Sequence, residues 1–210
     1  MTQIINLYFE YYSHKIKERK KEIDDSIAHN LKLNLTNFYI FCPIQYKEEL
    51  LKLVNNKNNV IIIEDNSRKT FQDIFEFSNT KTGTINITLN NDIMLNDNII
   101  NVNISDNDFY CLSRWESRSD SYPFAYRTCD SQDVWIWKNK NKIINANFYF
   151  GILGCDNKLA LLAKEVGYDV KNPAYTYKVF HNHASSVRDG SRDVTLRLPP
   201  PYLKVCPSYV

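Results

Sequence analysis

The stretch INITLNND, residues 85–92, decides the fold. Ile85, Ile87 and Leu89 alternate with polar residues into a β-strand that we expect to be buried, and a polar run that ends in Asp92 follows it. The strand closes a β-α-β-α-β-α-β order, which predicts an α/β fold with a mixed, mainly parallel sheet and helices on both faces. Open sheets of this kind bind ligands outside the carboxyl ends of their strands, which is where Asp92 falls.

The rest of the chain divides into short apolar runs and helical stripes. Residues 60–63 are β-branched throughout and polar at both ends, which predicts a parallel strand covered on both faces. We predict further strands at 4–9, 38–42, 109–112, 134–137 and 175–180. Helical stripes at 16–31, 50–54, 71–75 and 159–166, a polar loop at 114–133 and an extended surface tail at 198–202 complete the prediction.

Length and charge limit the function classes. The 210 residues suit a single domain, and a formal net charge of +2 without a basic stripe argues against nucleic-acid binding. The basic run Lys15–Lys21 is followed by acidic residues, so we interpret it as the solvated face of a helix. No apolar stretch reaches the roughly 18 residues of a membrane span.

The cysteines and the N-terminus favour a cytoplasmic protein. The five cysteines are scattered, with no Cys-x-x-Cys pair, so we expect reduced thiols rather than a zinc knuckle or a disulfide framework. The N-terminus has no charged leader followed by an apolar block, so we expect no signal peptide.

Asn90 and Asp92 are candidate ligands of a divalent cation. A carboxylate at a strand end, with a polar neighbour two residues earlier on the same face, can hold a cation against a diphosphate. The alternative is that Asn-Asn-Asp is a turn, and spacing alone favours the turn.

Other candidates are weaker one by one. His181 and His183 follow a strand and would face one side of an extended chain, where they could reach a metal or a phosphate; the alternative is two surface histidines. Asp156 either caps the following helix or points into a cleft toward sugar hydroxyls. Asp133 either acts as a general base or pairs with an arginine. Arg68 either faces a phosphate or is solvated.

Taken in order, these segments resemble a known family. The resemblance covers about residues 10–202 and is carried by LNNDI (89–93), LSRWE (112–116), SQDVWI (131–136), GILGCDN (151–157), GY (167–168), NP (172–173) and HNHAS (181–185). They are similar to small GT-A-type glycosyltransferase domains of bacteria and of large DNA viruses, in particular to N-terminal domains of chlorovirus enzymes that glycosylate the capsid protein.

The resemblance implies a metal-dependent hexosyl- or deoxyhexosyltransferase with a UDP-sugar donor and a glycan or glycoprotein acceptor. It implies Mn²⁺ or Mg²⁺ held by Asp92, with His181 or His183 supplying the ligand that Asn90 cannot. It places Tyr11, Tyr12, Arg68, Asn90, Asp92 and Arg114 on the nucleotide sugar, and Asp133 and Asp156 in catalysis.

The resemblance further implies a nucleotide-binding half at 1–95 and an acceptor or catalytic half at 96–210. Together these would form one domain, which could be the N-terminal part of a longer protein. If the protein is viral, we expect it in the host cytoplasm. The neutral Asn90 leaves an alternative, a catalytically silent module that binds nucleotide or sugar. An unrelated nucleotide-binding fold is disfavoured because no glycine-rich phosphate loop follows a strand.

Overall fold

The computed structural model describes residues 3–116, 128–185, 187 and 197–210, and in them the chain forms ten strands and four α-helices. The strands are β1 (Ile4–Glu10), β2 (Asn37–Cys42), β3 (Val60–Glu64), β4 (Thr84–Leu89), β5 (Ile93–Leu95), β6 (Asp108–Leu112), β7 (Trp115–Glu116), β8 (Val134–Lys138), β9 (Asp169–Lys171) and β10 (Val179–His181). The helices are α1 (Lys17–Asn30), α2 (Lys47–Val54), α3 (Phe71–Ser78) and α4 (Cys155–Glu165).

Seven strands form the central sheet, in the order β3-β2-β1-β4-β8-β6-β9. The first four are mutually parallel, β8 runs antiparallel to both β4 and β6, and β9 is parallel to β6. All six residues of β4 are buried, because the strand lies in the middle of the sheet with both faces covered. The predicted class, an α/β fold of GT-A-like architecture with a mixed, mainly parallel sheet, is confirmed.

Two hydrophobic cores lie on the two faces of this sheet. One face packs Leu7 and Ile40 against residues of α1 and α2, and the other packs Tyr8 against α3 and α4. Trp135 and Trp137 belong to the second core and are fully buried. These two side chains therefore serve packing, as large aromatic residues usually do, and offer no exposed plane to a sugar.

Two strand predictions need correction. β3 is parallel to β2 as expected, but it is the edge of the sheet, and Ile61 is 39% exposed instead of being covered on both faces. A continuous β-branched run predicts a strand but cannot tell a central strand from an edge. The last strand begins at Val179 rather than Tyr175, because the N–H groups of Thr176 and Tyr177 close a turn onto the Pro173 carbonyl.

The C-terminal segment, predicted as an extended surface tail, is covalently attached to the rest of the chain. Cys129 and Cys206 form a disulfide, so the expectation of reduced thiols is wrong for this pair and holds only for the buried Cys42, Cys111 and Cys155. Scattered cysteines give no warning of a bridge across 77 residues, since the pairing depends on the fold. Of the predicted loop at 114–133, residues 117–127 lie outside the described residues.

A second, three-stranded sheet brings distant segments to the end of β4. In the order β5-β10-β7, β10 is antiparallel to β5 and parallel to β7. Its register sets His181 opposite Ile93 on one side and Glu116 on the other. Helix α1 covers this sheet, and the Asn30 side chain bonds to the backbone of β5 at Ile93 and Leu95 (2.7 and 2.8 Å).

Among the helices of the described residues, none is long and apolar enough to cross a membrane.

Candidate functional site

The candidate residues collect at the carboxyl edge of the parallel strands. Asp92 lies just beyond the end of β4, and Asp133 precedes β8, whose start lies at the same edge because β8 is antiparallel. Backbone bonds hold Asp133 between two strand ends: its carbonyl accepts from the Asn90 N–H (3.0 Å), and its own N–H donates to the Leu112 carbonyl (2.9 Å). The sheet thus fixes both carboxylates in one region.

A tight turn carries Asp92. The Ile93 N–H donates to the Asn90 carbonyl (3.1 Å), and the side-chain amide of Asn91 bonds to the carbonyl of Glu10. The Asn90 side chain donates to Asp133 Oδ1 at 2.7 Å. Asn90 and Asp92 therefore bind different partners, and the structure does not join them as a pair of ligands.

Asp92 is paired with two cationic side chains. Its Oδ2 accepts from Arg19 Nη2 at 2.5 Å and lies 3.0 Å from His181 Nε2. Its side chain is 13% exposed. Burial by itself would raise the pKa of Asp92, but the bond and charge of His181, together with Arg19, outweigh it and hold that pKa well below its usual range.

His181 continues the chain of contacts to Glu116. Its Nδ1 lies 3.1 Å from Glu116 Oε2. Burial alone would lower the pKa of His181, but hydrogen bonds to Asp92 and Glu116 raise it to about 9. The hydrogen bond from His181 is also the main reason that the pKa of Glu116 falls to about 2. Burial opposes this decrease, and Arg114 adds to it.

Arg114 joins Glu116 to Asp133. Its Nε donates to Glu116 Oε1 (3.0 Å), and its Nη1 donates to both oxygens of Asp133 (3.1 and 2.9 Å). The charges of the nearby Asp133 and Glu116 raise the pKa of Arg114 although burial opposes them. Asp133 is thus paired with an arginine, the second of its two predicted interpretations, and its side chain is 7% exposed.

These contacts form one continuous network of alternating charge. We call it the carboxyl-edge network; in order of contact its members are Arg19, Asp92, His181, Glu116, Arg114 and Asp133. Each buried charge has an opposite neighbour, which is the condition under which ionised groups tolerate a low-dielectric interior. The segments that meet here are separated by up to 162 positions of the sequence, from Arg19 to His181.

Three side chains of this region have the donor chemistry of a metal centre. Asp92, His181 and His183 each offer a ligand atom, and these atoms lie within 4.8 Å of one another. The two imidazole rings stack with centroids 5.2 Å apart. One carboxylate and two neutral imidazoles can bind Mn²⁺ or a related divalent ion, so the residues that the sequence predicted as ligands fit such an ion once His181 has lost its proton.

Helix α1 contributes two residues that the sequence analysis assigned to solvent. Arg19 and Glu22 are only 8% and 7% exposed, so the prediction of a solvated face is wrong for this side of the helix. Glu22 accepts from Arg19 Nη1 (3.0 Å) and from the N–H and hydroxyl of Ser185. The signal was present, because positions 19 and 22 share the i, i+3/i+4 stripe of the buried Ile23.

Asp156 lies at the first turn of α4, but it is not the N-cap, which is Gly154 at a φ of +83°. Its oxygens accept from the N–H groups of Asn157 (2.9 Å) and Gln132 (3.2 Å). Burial, with the nearby charge of Asp133, raises the pKa of Asp156 to about 6. A carboxyl group with a pKa near neutrality is suited to exchanging a proton at physiological pH.

Three residues predicted to bind the nucleotide, Tyr11, Tyr12 and Arg68, are not members of the carboxyl-edge network. Tyr11 is fully buried, and its hydroxyl donates to Asp24 (3.3 Å), so it is a core residue in this structure. Tyr12 is partly buried and packs against the same core. Arg68 is exposed, donates to the Phe150 carbonyl (2.7 Å) and stacks 4.7 Å from the Tyr149 ring. Their assignment to a nucleotide stays a prediction.

Glu116, at the centre of the network, was quoted in the sequence only as part of a resembling segment. Its role depends on β7, a strand of two residues that pairs with β10 across 65 positions of the sequence. A strand so short leaves no periodic signal, so no reading of the local sequence would have found this residue.

Comparison with known proteins supports the fold. The sequence matches no family model, and no curated protein matches it. Among solved structures, the chain is similar to that of S. aureus TarS, residues 1–349, in complex with UDP-GlcNAc, with a TM-score of 0.57 at 9% identity. The similarity covers 93% of this chain and 62% of that chain, so the chain spans less than two thirds of this structural neighbour.

Proposed function

We propose that this chain is a glycosyltransferase that moves a sugar from a UDP-sugar donor to a hydroxyl group of a glycan acceptor. The observation that carries the proposal is the position of the carboxyl-edge network, where a GT-A-like sheet presents its strand ends. A structural neighbour over 93% of the chain contains UDP-GlcNAc, which supports a UDP-linked donor. The sequence resemblance to chlorovirus enzymes supports a capsid-protein glycan as the acceptor.

Arg114, which the resemblance places on the nucleotide sugar, would supply positive charge toward the diphosphate. Asp92, His181 and His183 would hold Mn²⁺ or Mg²⁺. Such an ion would stabilise the negative charge that develops on the leaving nucleoside diphosphate. We assign residues 1–95 to donor binding and residues 96–210 to the acceptor side.

Between the two carboxylates proposed for catalysis, Asp156 is better suited to act as the base. Arg114 and Asn90 both donate to Asp133, so its oxygens are already committed to the network. Asp156 has a raised pKa, and within the described residues its side chain accepts from the backbone N–H groups of Gln132 and Asn157. In the proposed step the acceptor oxygen bonds to the anomeric carbon, the bond to the diphosphate breaks, and Asp156 takes the hydroxyl proton.

One observation favours a second candidate, a silent module that binds nucleotide or sugar. Asn90 bonds to Asp133 and adds no charge to the cation site, so Asp92 is the single carboxylate among the three proposed ligands. Such a module would bind the donor with the same residues and release no UDP.

A paired binding and turnover assay separates the two candidates. Calorimetry with UDP and with a panel of UDP-sugars, with and without Mn²⁺, measures binding, and release of UDP measures turnover. Asp156→Asn should keep UDP affinity and lower turnover by about 10²–10⁴-fold. Asp25→Asn, a surface change on α1, is the matched control and should alter neither.

Binding by the wild type without turnover on any donor, with or without a glycan acceptor, would support the silent module. Absence of UDP and UDP-sugar binding under all conditions would refute both candidates.

A further inference from the structure

Arg19 lies where the proposed metal centre and helix α1 meet. Its Nη2 contacts Asp92 Oδ2 at 2.5 Å, and its Nη1 lies 2.6 Å from His183 Nδ1. The guanidinium therefore touches two of the three residues that would bind the ion. Because a guanidinium only donates hydrogen bonds, His183 Nδ1 must accept, and the lone pair that a metal would need at this atom is already in use.

The same contacts make Arg19 and an ion electrostatic competitors. Asp92 is the single carboxylate of the centre, and its Oδ2 is shared between Arg19 and His181. A divalent ion at these atoms would lie within a few ångströms of the guanidinium in a partly buried site, where like charges repel more strongly than in water. The attraction that Asp92 now gives to Arg19 is also the attraction that an ion would require.

Arg19 is not fully satisfied in its present position. Within the described residues, its Nε is buried and has no hydrogen-bond partner. Its Nη1 also bonds to Glu22 at 3.0 Å, one turn along the same helix. Glu22 is therefore a partner that Arg19 would keep after losing Asp92 and His183, so the guanidinium could move aside without being left unpaired.

We propose that Arg19 is an internal cation that occupies the place of a divalent ion at Asp92, His181 and His183. Ion binding and the contacts of Arg19 with Asp92 and His183 exclude each other, so Arg19 sets the affinity of the centre. Without an ion, Arg19 neutralises Asp92 and keeps the residues together. The inference rests on the metal centre of the proposed function and not on turnover.

The test measures Mn²⁺ binding to the nucleotide-free protein by calorimetry and by the electron paramagnetic resonance signal of free Mn²⁺. Arg19→Met should bind Mn²⁺ at least about tenfold more tightly than the wild type, because the competing charge is gone. Lys21→Met removes the same charge from an exposed position of α1 and should leave the affinity unchanged. Adding Asp92→Asn to Arg19→Met should abolish the gain.

Thermal unfolding of each variant checks that it folds, and Arg19→Gln replaces Arg19→Met if the latter does not. Mn²⁺ binding by the variant but not by the wild type would also support the proposal. Equal affinity in both would overturn it and leave the metal centre standing. Binding by neither would overturn it together with the metal centre, whereas UDP binding measured in EDTA reports separately on the nucleotide site.

Discussion

Replacing Asp156 by asparagine should change how the stability of the protein depends on pH. Burial and Asp133 raise the pKa of Asp156 from 3.8 to about 6 in the folded chain. The folded protein therefore holds a proton on this group that the unfolded chain has already lost. Between pH 4 and pH 6 the contribution of Asp156 to the free energy of unfolding falls as pH rises, and above pH 6 it stays low.

The size of the effect follows from the same two values. About 1.4 kcal/mol for each tenfold change in proton affinity gives an upper limit of about 3 kcal/mol for this shift. The amide of the variant can accept the same N–H groups of Gln132 and Asn157 but does not titrate, so it contributes nothing that varies with pH. The difference in free energy of unfolding, variant minus wild type, should therefore rise by about 2–3 kcal/mol between pH 4 and pH 7.5.

Urea denaturation at a series of pH values measures this difference. Asp25→Asn is the control, since its carboxylate is on the surface and its ion pair with Lys21 is exposed. The catalytic counterpart is turnover of a UDP-sugar, which should rise with pH through about 6 in the wild type as Asp156 loses its proton. A difference in unfolding free energy that stays constant from pH 4 to pH 7.5 would refute the assignment of a raised pKa to this residue.

Three further changes test other parts of the structure. Removing the disulfide with Cys129→Ser and Cys206→Ser should lower the free energy of unfolding by about 2–4.5 kcal/mol, and the upper value is the loop-closure term for 77 residues. In urea denaturation a reductant should destabilise the wild type and leave the double variant unchanged. An equal response of the two proteins would contradict this prediction. Arg114→Met should cost about 2–4 kcal/mol and lower UDP affinity in calorimetry, because it leaves Asp133 without its cation. Lys138→Met, whose side chain is 40% exposed and pairs with the more exposed Asp106, should do neither. Asn90→Asp should destabilise the fold by about 1–2 kcal/mol, since it replaces the donor to Asp133 with a second carboxylate. It should not strengthen Mn²⁺ binding, and tighter binding would show that position 90 is a ligand.

The sheet could be predicted from sequence because its signals are local. β2 is an apolar run and β4 alternates apolar with polar residues, and both patterns predict a strand from the local sequence alone. A local pattern does not determine the position of a strand in the sheet, so β3 is predicted as covered on both faces although it is the edge strand. The disulfide was missed for a related reason, since Cys129 and Cys206 are neighbours only through the packing of the C-terminal segment beside α4.

The candidate site was predicted only in part because its contacts are long-range. Asp92, Asp133 and His181 could be predicted, since Asp92 and Asp133 flank strands and His181 ends one. Their connection through Glu116 depends on the register of two short strands, and register comes from the whole fold. Arg19 was hidden by its charged neighbours, because only the helical period distinguishes it from Lys20 and Lys21.

The two interpretations of Asn90-Asn91-Asp92, a turn and a ligand position, are compatible in the structure, and the ligand role stays a proposal. The Asn90–Ile93 hydrogen bond makes the segment a turn, as the spacing favoured. That turn sends the chain back as β5, and β5 pairs with β10 so that His181 lies opposite Ile93 and beside Asp92. The backbone bond from the Asn182 N–H to the Asp92 carbonyl (2.8 Å) extends the same ladder and places His183 near the carboxylate. A straight continuation of β4 would leave Asp92 without these partners, so the turn is the cause of the candidate site and not an argument against it.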